Sequence, residues 1–441
     1  MSKETNLQIK VKPAFILGTG GGVFCGRDGA LERVTDREVL ARRVAELSKE
    51  LRQKLQFSAV LLDDTVVRNE NDLAKLKVET LEADALFVYL IGPMPLPTVS
   101  EWGRPIIAFS GQYTPMLALY AFGVERHSRA QITIALDFSH IDEQMRVLEA
   151  RKKLRDARIA LLGFPPPRFF SQWHHLPDLE SVWEKMSIEF ISVELRELLA
   201  QLPKVGQEEA QAIAERWRQE AKEVVEPSKT DVINAARLFL TITNIMEQRK
   251  ATALAINCLE LMDLKVPPPC YALSRLRDEG VHAACEADVI ALLTMMMLGY
   301  LADVPAFMGN IVSANPESNI LMISHCVVPT RMAGFSQPPQ RYTLRNYHGR
   351  QGVTAYVELD TGQEVTVARL ARNLDKVGLL SGELTNCQDT TTCRTTISVK
   401  VADVRRFVEG ALGNHHAVVY GNYTRELKAL SRSLDISPIG L

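Results

Sequence analysis

The sequence predicts an α/β fold: two Rossmann-like parallel-sheet domains followed by a β-rich C-terminal domain. Three observations carry this expectation. Short apolar segments alternate with helical patterns over most of the chain, the pattern of a parallel sheet covered on both faces. Beyond Gln337-Pro338-Pro339 the apolar period changes to two. The length, 441 residues, exceeds what one hydrophobic core usually supports.

Residues 13–18 (PAFILG) read as a strand running into the glycine cluster Gly20-Gly21-Gly22, followed by a helical pattern over 37–55. Residues 58–62, 85–91 and 105–110 are further strands, each bounded by polar or turn residues. A charged helix over 143–156 leads to a strand at 158–163 (RIALLG), which is stopped by Pro165-Pro166-Pro167. The first domain is therefore 1–156. The second, 157–301, adds a strand at 188–193 and helical patterns at 208–225 and 229–249. It ends in the apolar run 289–301, which reads as a buried helix with Met295, Met296 and Met297 as core filler, too short to cross a bilayer. The third, 302–441, holds a hairpin of 353–359 and 364–370 across Asp360-Thr361-Gly362-Gln363, a strand at 395–401, and helices at 403–412 and 423–434.

With 46% apolar and 24% charged residues and a formal charge of -2, the composition is that of a soluble protein. No long block of Lys and Arg is present to track phosphates, which argues against nucleic acid as a partner. Residues 1–12 are polar, without the apolar core of a signal peptide, and no run is long enough for a membrane span. Seven cysteines without a CxxC pair argue against a disulfide framework or a structural zinc site. The expectation is reduced thiols in a cytoplasmic protein.

Three distant stretches, Cys285-Glu286-Ala287-Asp288, Ser324-His325-Cys326 and Asn414-His415-His416, supply oxygen and imidazole ligands of the kind that hold a hard divalent cation. Glu286 falls in the first turn of the apolar helix, where the dipole favours an ionised carboxylate, and Asp288 points to another side of that helix. His325 ends a strand, where functional side chains sit in α/β folds. Adjacent histidines on an extended segment face opposite ways, so one of His415 and His416 points into a site and the other packs behind it. Cys285 and Cys326 read as small buried side chains, because a hard-cation site has little use for thiolate. His174 and His175, beside Trp173, read as surface or sugar-stacking residues. The cluster Gly18-Thr19-Gly20-Gly21-Gly22 fails the dinucleotide pattern, with Val23 at the third glycine position and no P-loop lysine, and reads as a tight turn or a loop lining a sugar site. Arg126, Arg129, Arg168 and Arg331 are candidate anion contacts or ordinary surface residues.

These stretches resemble the L-fucose isomerase and L-arabinose isomerase superfamily, metal-dependent aldose–ketose isomerases of three domains. The segment from Pro269 to Asp288 resembles the one carrying the family's first metal-binding glutamate, which matches Glu286. Phe307-Met308-Gly309-Asn310 is similar to the second acidic position, and Ser324-His325-Cys326 resembles the segment bearing a ligand histidine. Gly413-Asn414-His415-His416 resembles the double histidine whose second member, here His416, is the ligand. The resemblance extends over residues 250–435 and, over the first 200, holds only in architecture.

The resemblance implies Mn²⁺ or another divalent cation held by Glu286, Asn310, His325 and His416, proton transfer by Glu286 with Asp288, and sugar contacts from Asn414, His415 and Arg331. It also implies a homo-oligomer, a trimer or hexamer. The departure is at Gly309 and Asn310, where the arabinose and fucose branches respectively have a glutamate and an aspartate. An amide oxygen can ligate a hard cation but is not a practical base. The expected function is isomerisation of a monosaccharide or derivative through a cis-enediol; the alternative is a diverged homologue that binds a sugar without isomerising it.

Overall fold

Apolar runs between polar turns become strands, and amphipathic stretches become helices laid across them, in a computed structural model that describes residues 9–17, 22–25, 31–55, 59–91, 104–109, 132–164 and 175–441. The chain divides into two compact units, one ending at Lys152 and the other spanning Lys153–Leu441. The glycine cluster at 18–21, Trp173, His174, Arg126, Arg129 and Arg168 lie outside the described residues.

The first unit is built on a parallel sheet in the order Ala59–Leu61, Ile9–Ile16, Ala85–Leu90, Ile106–Phe109, Ile132–Ile134, with Thr65–Val67 also paired to Ile9–Ile16. Both faces are covered, which is why its strands are continuously apolar rather than alternating. Ala14, Ile16 and Val88 pack under Leu73 and Leu76 of the helix Glu70–Glu79. Ile9, Val11 and Phe87 face Leu51 and Leu55 of the helix Arg37–Leu55 on the other side.

The second unit joins two sheets through one helix. Its parallel sheet runs Glu189–Val193, Arg158–Leu162, Ala253–Ile256, His282–Ala284. The helix Lys229–Arg249 beside it begins with a capping box, Ser228 accepting from the Asp231 amide while Asp231 accepts from the Ser228 amide. The β-rich part closes on itself: Glu364–Leu370, His415–Tyr420, Phe307–Asn315, Ile320–His325, Thr395–Lys400 and Lys376–Asp389 pair antiparallel in turn, and the last pairs back with the first. Ser437–Gly440 adds a parallel pairing to the start of Lys376–Asp389.

Thr354–Val357 does not form the expected hairpin with Glu364–Leu370. It pairs with Tyr342–Arg345 in a small separate sheet that also takes Glu223–Val224. Glu364–Leu370 instead closes the barrel against Lys376–Asp389 and His415–Tyr420. Alternation marks both segments as strands but carries no information on the partner, which barrel closure selects.

Between the parallel sheet and the barrel lies the helix Val289–Ala302, apolar on all sides, with Val289 through Gly299 buried. It contacts His282–Ala284 on one side and Glu364–Leu370 and His415–Tyr420 on the other. A helix hydrophobic all round belongs between two layers, each fully buried Leu or Met contributing about 1.5–3 kcal/mol. Asp303, in the left-handed region at φ 53°, ends it. Among the described residues no helix is long and apolar enough to cross a membrane.

Candidate active site

The site forms where the strand His282–Ala284 runs out of the parallel sheet toward the helix Val289–Ala302, at the carboxyl end of a strand, where α/β proteins place ligands. Four residues must make the turn. Glu286 and Ala287 do so in the left-handed region, at φ 55° and 53°. Non-glycine residues so held cost on the order of 1–3 kcal/mol each, a strain that collects at functional sites. The sequence-based expectation put Glu286 in the first helical turn. The helix begins instead at Val289, and Asp288 caps it, its Oδ1 accepting from the Ala291 amide at 2.8 Å.

The Glu286 carboxylate sits between two imidazoles. His325 Nε2 is 3.6 Å from Oε1 and His415 Nε2 is 3.5 Å from Oε2. Both rings are buried, whereas the Glu286 side chain keeps 31% of its surface open. Burial raises its pKa, but the imidazoles of His325 and His415, with His175 beyond, outweigh that and hold the group at about 2. Asp288, wholly buried, stands behind His415: Oδ2 is 2.9 Å from His415 Nδ1 and 3.2 Å from Arg369 Nη1. Burial opposes its ionisation, and Arg369 and His415 prevail, keeping it well below the usual carboxylate range.

A carboxylate at Nδ1 makes that nitrogen the donor and turns Nε2 toward Glu286. That Nε2 is buried and has no hydrogen-bond partner among the described residues. His325 is arranged differently, its Nδ1 accepting from the Cys326 amide at 2.9 Å, which leaves the ring proton on Nε2 facing Glu286.

His416 faces away. It pairs in register with Gly309, and His415 with Asn310, and opposed residues of an antiparallel pair share a face. The His416 ring packs 5.2 Å from Phe407, its Nδ1 bonds the Asn414 carbonyl at 2.9 Å, and burial presses its pKa down to about 3. Of the two histidines, the structure therefore turns His415, not His416, toward Glu286. At position 309 a Cβ would meet Ile323 Cγ2 at 2.5 Å, so no side chain stands there without repacking. Asn310 accepts a 2.6 Å bond at Oδ1 from Asn414 Nδ2. Arg331 is engaged locally, donating to the Phe335 and Gln337 carbonyls.

Two contributors escaped the sequence reading. His175 is buried rather than a surface residue: its carbonyl accepts from the Val289 and Ile290 amides, its Nδ1 is 3.2 Å from the Glu286 carbonyl, and its Nε2 is 3.7 Å from Asp288. Arg369, 2% exposed, bonds Asp288 and the His415 carbonyl. An arginine within an otherwise apolar barrel strand was its only signal. The close approach also explains Gly413, where a Cβ would lie 2.2 Å from Arg369 Nε and φ is +153°.

Can this cluster hold a divalent cation? Bonds of about 2.0–2.2 Å from oxygen and nitrogen place neighbouring donors about 3.0–3.5 Å apart. The separations of 3.5 and 3.6 Å lie near that spacing pair by pair but run from different oxygens of Glu286, so a cation shared with both imidazoles needs the rings to move together; among the described residues, the sets whose ligand atoms lie within 4.8 Å of one another are Cys285, Glu286 and His325, and His175, Asp288 and His415.

No protein-family profile matches the chain. Proteins named sulfoquinovose isomerase are similar to it: those of Priestia aryabhattai and Alkalicoccus urumqiensis are each 25% identical, over 305 and 312 residues, which is 66% of this chain and 66% of theirs. That of Clostridium sp. (strain MSTE9) is 25% identical over 358 residues, 77% of each chain. The match to the first two thus spans just under two thirds of their length. A periplasmic solute-binding protein from Actinobacillus succinogenes aligns with a TM-score of 0.17 at 12% identity over 67% of this chain and 92% of its own, too weak a likeness to bear on the fold.

Proposed function

We propose that the protein is an aldose–ketose isomerase acting on a sugar derivative, with sulfoquinovose the first substrate to try because the similar proteins carry that name. The observation that supports it best is a partly open carboxylate, Glu286, flanked by two buried imidazoles. Glu286, Asp288 and His415 converge as a carboxylate able to meet a sugar, backed by an ion pair that cannot. Glu286 accepts the proton leaving C2 and returns it to C1. Asp288 is wholly buried, so its part is to hold His415 with Nε2 turned to Glu286 and to balance the charge of Arg369.

A divalent cation such as Mn²⁺, anchored on Glu286 with His325 and His415 the imidazoles in reach, one at each carboxylate oxygen, would supply Lewis-acid polarisation of the sugar's C1 and C2 oxygens. Asn310 stands directly opposite His415 in register, and its amide adds a neutral oxygen where a carboxylate would add charge.

A second reading, sugar binding without isomerisation, draws on Gly309 and Asn310, which leave Glu286 without a second carboxylate on that strand. One experiment separates the two. Purified protein with Mn²⁺ is incubated in D₂O with a panel of aldoses that includes sulfoquinovose, and loss of the C2 proton is followed by NMR. Exchange by the wild type, reduced about 10²–10⁴-fold in Glu286→Gln, is expected for an isomerase. Saturable binding of a sugar with no exchange in any member of the panel would establish the second reading.

A further inference from the structure

The Glu286 carboxylate faces two ways: Oε2 toward His415, and Oε1 toward His325 and, beside it, Cys285. Cys285 Sγ is 3.7 Å from His325 Nε2, and one ligand atom from each of Cys285, Glu286 and His325 lies within 4.8 Å of the others. We propose that these three residues form a second cation site, selective for a thiophilic divalent ion such as zinc or cadmium, which competes with a hard cation for Glu286 and His325.

The donor set, one sulfur, one nitrogen and one oxygen within 4.8 Å of one another, suits a tetrahedral centre. Bonds of about 2.3 Å to sulfur and 2.0–2.2 Å to nitrogen and oxygen set donors about 3.4–3.6 Å apart. The sulfur–nitrogen and nitrogen–oxygen separations here, 3.7 and 3.6 Å, need shifts of only tenths of an ångström. Cys285 and His325 are buried at 2% and 1%, and the open side of Glu286 supplies the way in and room for a water as fourth ligand. A thiolate ligand selects zinc or cadmium over manganese or magnesium, whose preferred donors are oxygens.

Not every nearby thiol can take part. Cys326 Sγ lies 3.6 Å from the other ring nitrogen, Nδ1, and 3.3 Å from Cys270 Sγ, so it cannot share an ion bound at Nε2. It does something else. When Nε2 binds an ion, the ring proton moves to Nδ1, which gives up the bond it accepts from the Cys326 amide and turns to Cys326 Sγ, 3.6 Å away, as its acceptor. The Cys285 thiol gives its proton to solvent as the sulfur–cation bond forms.

This inference rests on the assignment of Glu286 and His325 to cation binding above, and the test keeps the two apart. The full-length protein is titrated with Co²⁺, which reports thiolate ligation by a charge-transfer band in the near ultraviolet. The wild type is expected to show the band, Cd²⁺ to displace it, Cys285→Ser to abolish it, and Cys326→Ser to retain it. Absence of the band in the wild type, or its survival in Cys285→Ser, overturns the proposal. Should Cys285→Ser fail to fold by circular dichroism, X-ray absorption on the zinc-loaded wild type decides through the presence or absence of a sulfur at about 2.3 Å. C2 exchange with Mn²⁺ but no sulfur ligation removes this inference alone, whereas sulfur ligation without exchange on any sugar removes the isomerase reading and leaves the site.

Discussion

His415 and His416 are consecutive on one strand and equally deep, at 2% and 0% exposure, yet their surroundings are opposite. His415 is gripped at Nδ1 by a buried aspartate and points its other nitrogen at a glutamate. His416 meets a phenylalanine ring and a backbone carbonyl, and burial keeps it neutral. A strand turns neighbouring side chains to opposite faces, so the layer packed against each face decides the chemistry. The polar face exists because the helix Val289–Ala302 brings Asp288 to it; the other face is covered by the helix Val404–Gly410 that carries Phe407.

Three substitutions or titrations bear on this contrast. The largest effect is expected from Asp288→Asn, which leaves the Arg369 guanidinium buried beside an amide. Loss of one partner of a buried pair costs about 3–5 kcal/mol, measurable by urea unfolding, and Mn²⁺ affinity should fall about 10–100-fold in calorimetry through the misoriented His415. Unchanged stability would mean that the two ions are not paired in solution.

Next in size, His416→Ala should lower stability by about 2–4 kcal/mol as an apolar-face cavity while Mn²⁺ still binds; His415→Ala should abolish binding with a smaller stability loss. The reverse outcome would restore His416 to the ligand role implied by the family resemblance.

The effect most gradual per step is the pH dependence. Burial depresses both His416 and His282 from an ordinary 6.5 to about 3, in His282 with help from Arg277 and Lys153. Between those values the unfolded chain binds protons that the folded chain refuses, so stability falls as pH drops from 6.5 toward 3, by about 1.4 kcal/mol per pH unit for each histidine. Glu286, depressed from 4.5 to about 2, adds a further loss of stability below pH 4.5. Unfolding free energies at pH 7, 6 and 5 should show the histidine slope, and His282→Gln should reduce it; a flat profile would place both rings in contact with water.

Much of the fold was legible beforehand. The helices at 37–55 and 229–249 appear with those bounds, because amphipathic period and caps are local signals. Adjacent strand identity was legible as well, but not partnership, as Thr354–Val357 shows by leaving Glu364–Leu370 for another sheet. At the site, Glu286, His325 and the double histidine stood out by residue type, while the choice between His415 and His416 needed the register with Gly309 and Asn310. The roles of His175 and Arg369 could not be read, since a histidine in a loop or an arginine in a strand does not reveal a partner, Asp288, 113 and 81 positions away.

What the amino-acid order determined alone is the alternation of apolar segments, and hence an α/β chain ending in a β-rich part with an apolar helix that had to lie between layers. Only tertiary packing decided that Asp288 meets His415 across 127 residues, that Glu286 takes a left-handed turn between two imidazoles, and that the Cys285 thiol reaches His325. The reason is physical: periodicity is written in neighbouring residues and scored by burial, whereas the sign and reach of a charge depend on which groups the closed barrel and the covered helix bring within a few ångströms.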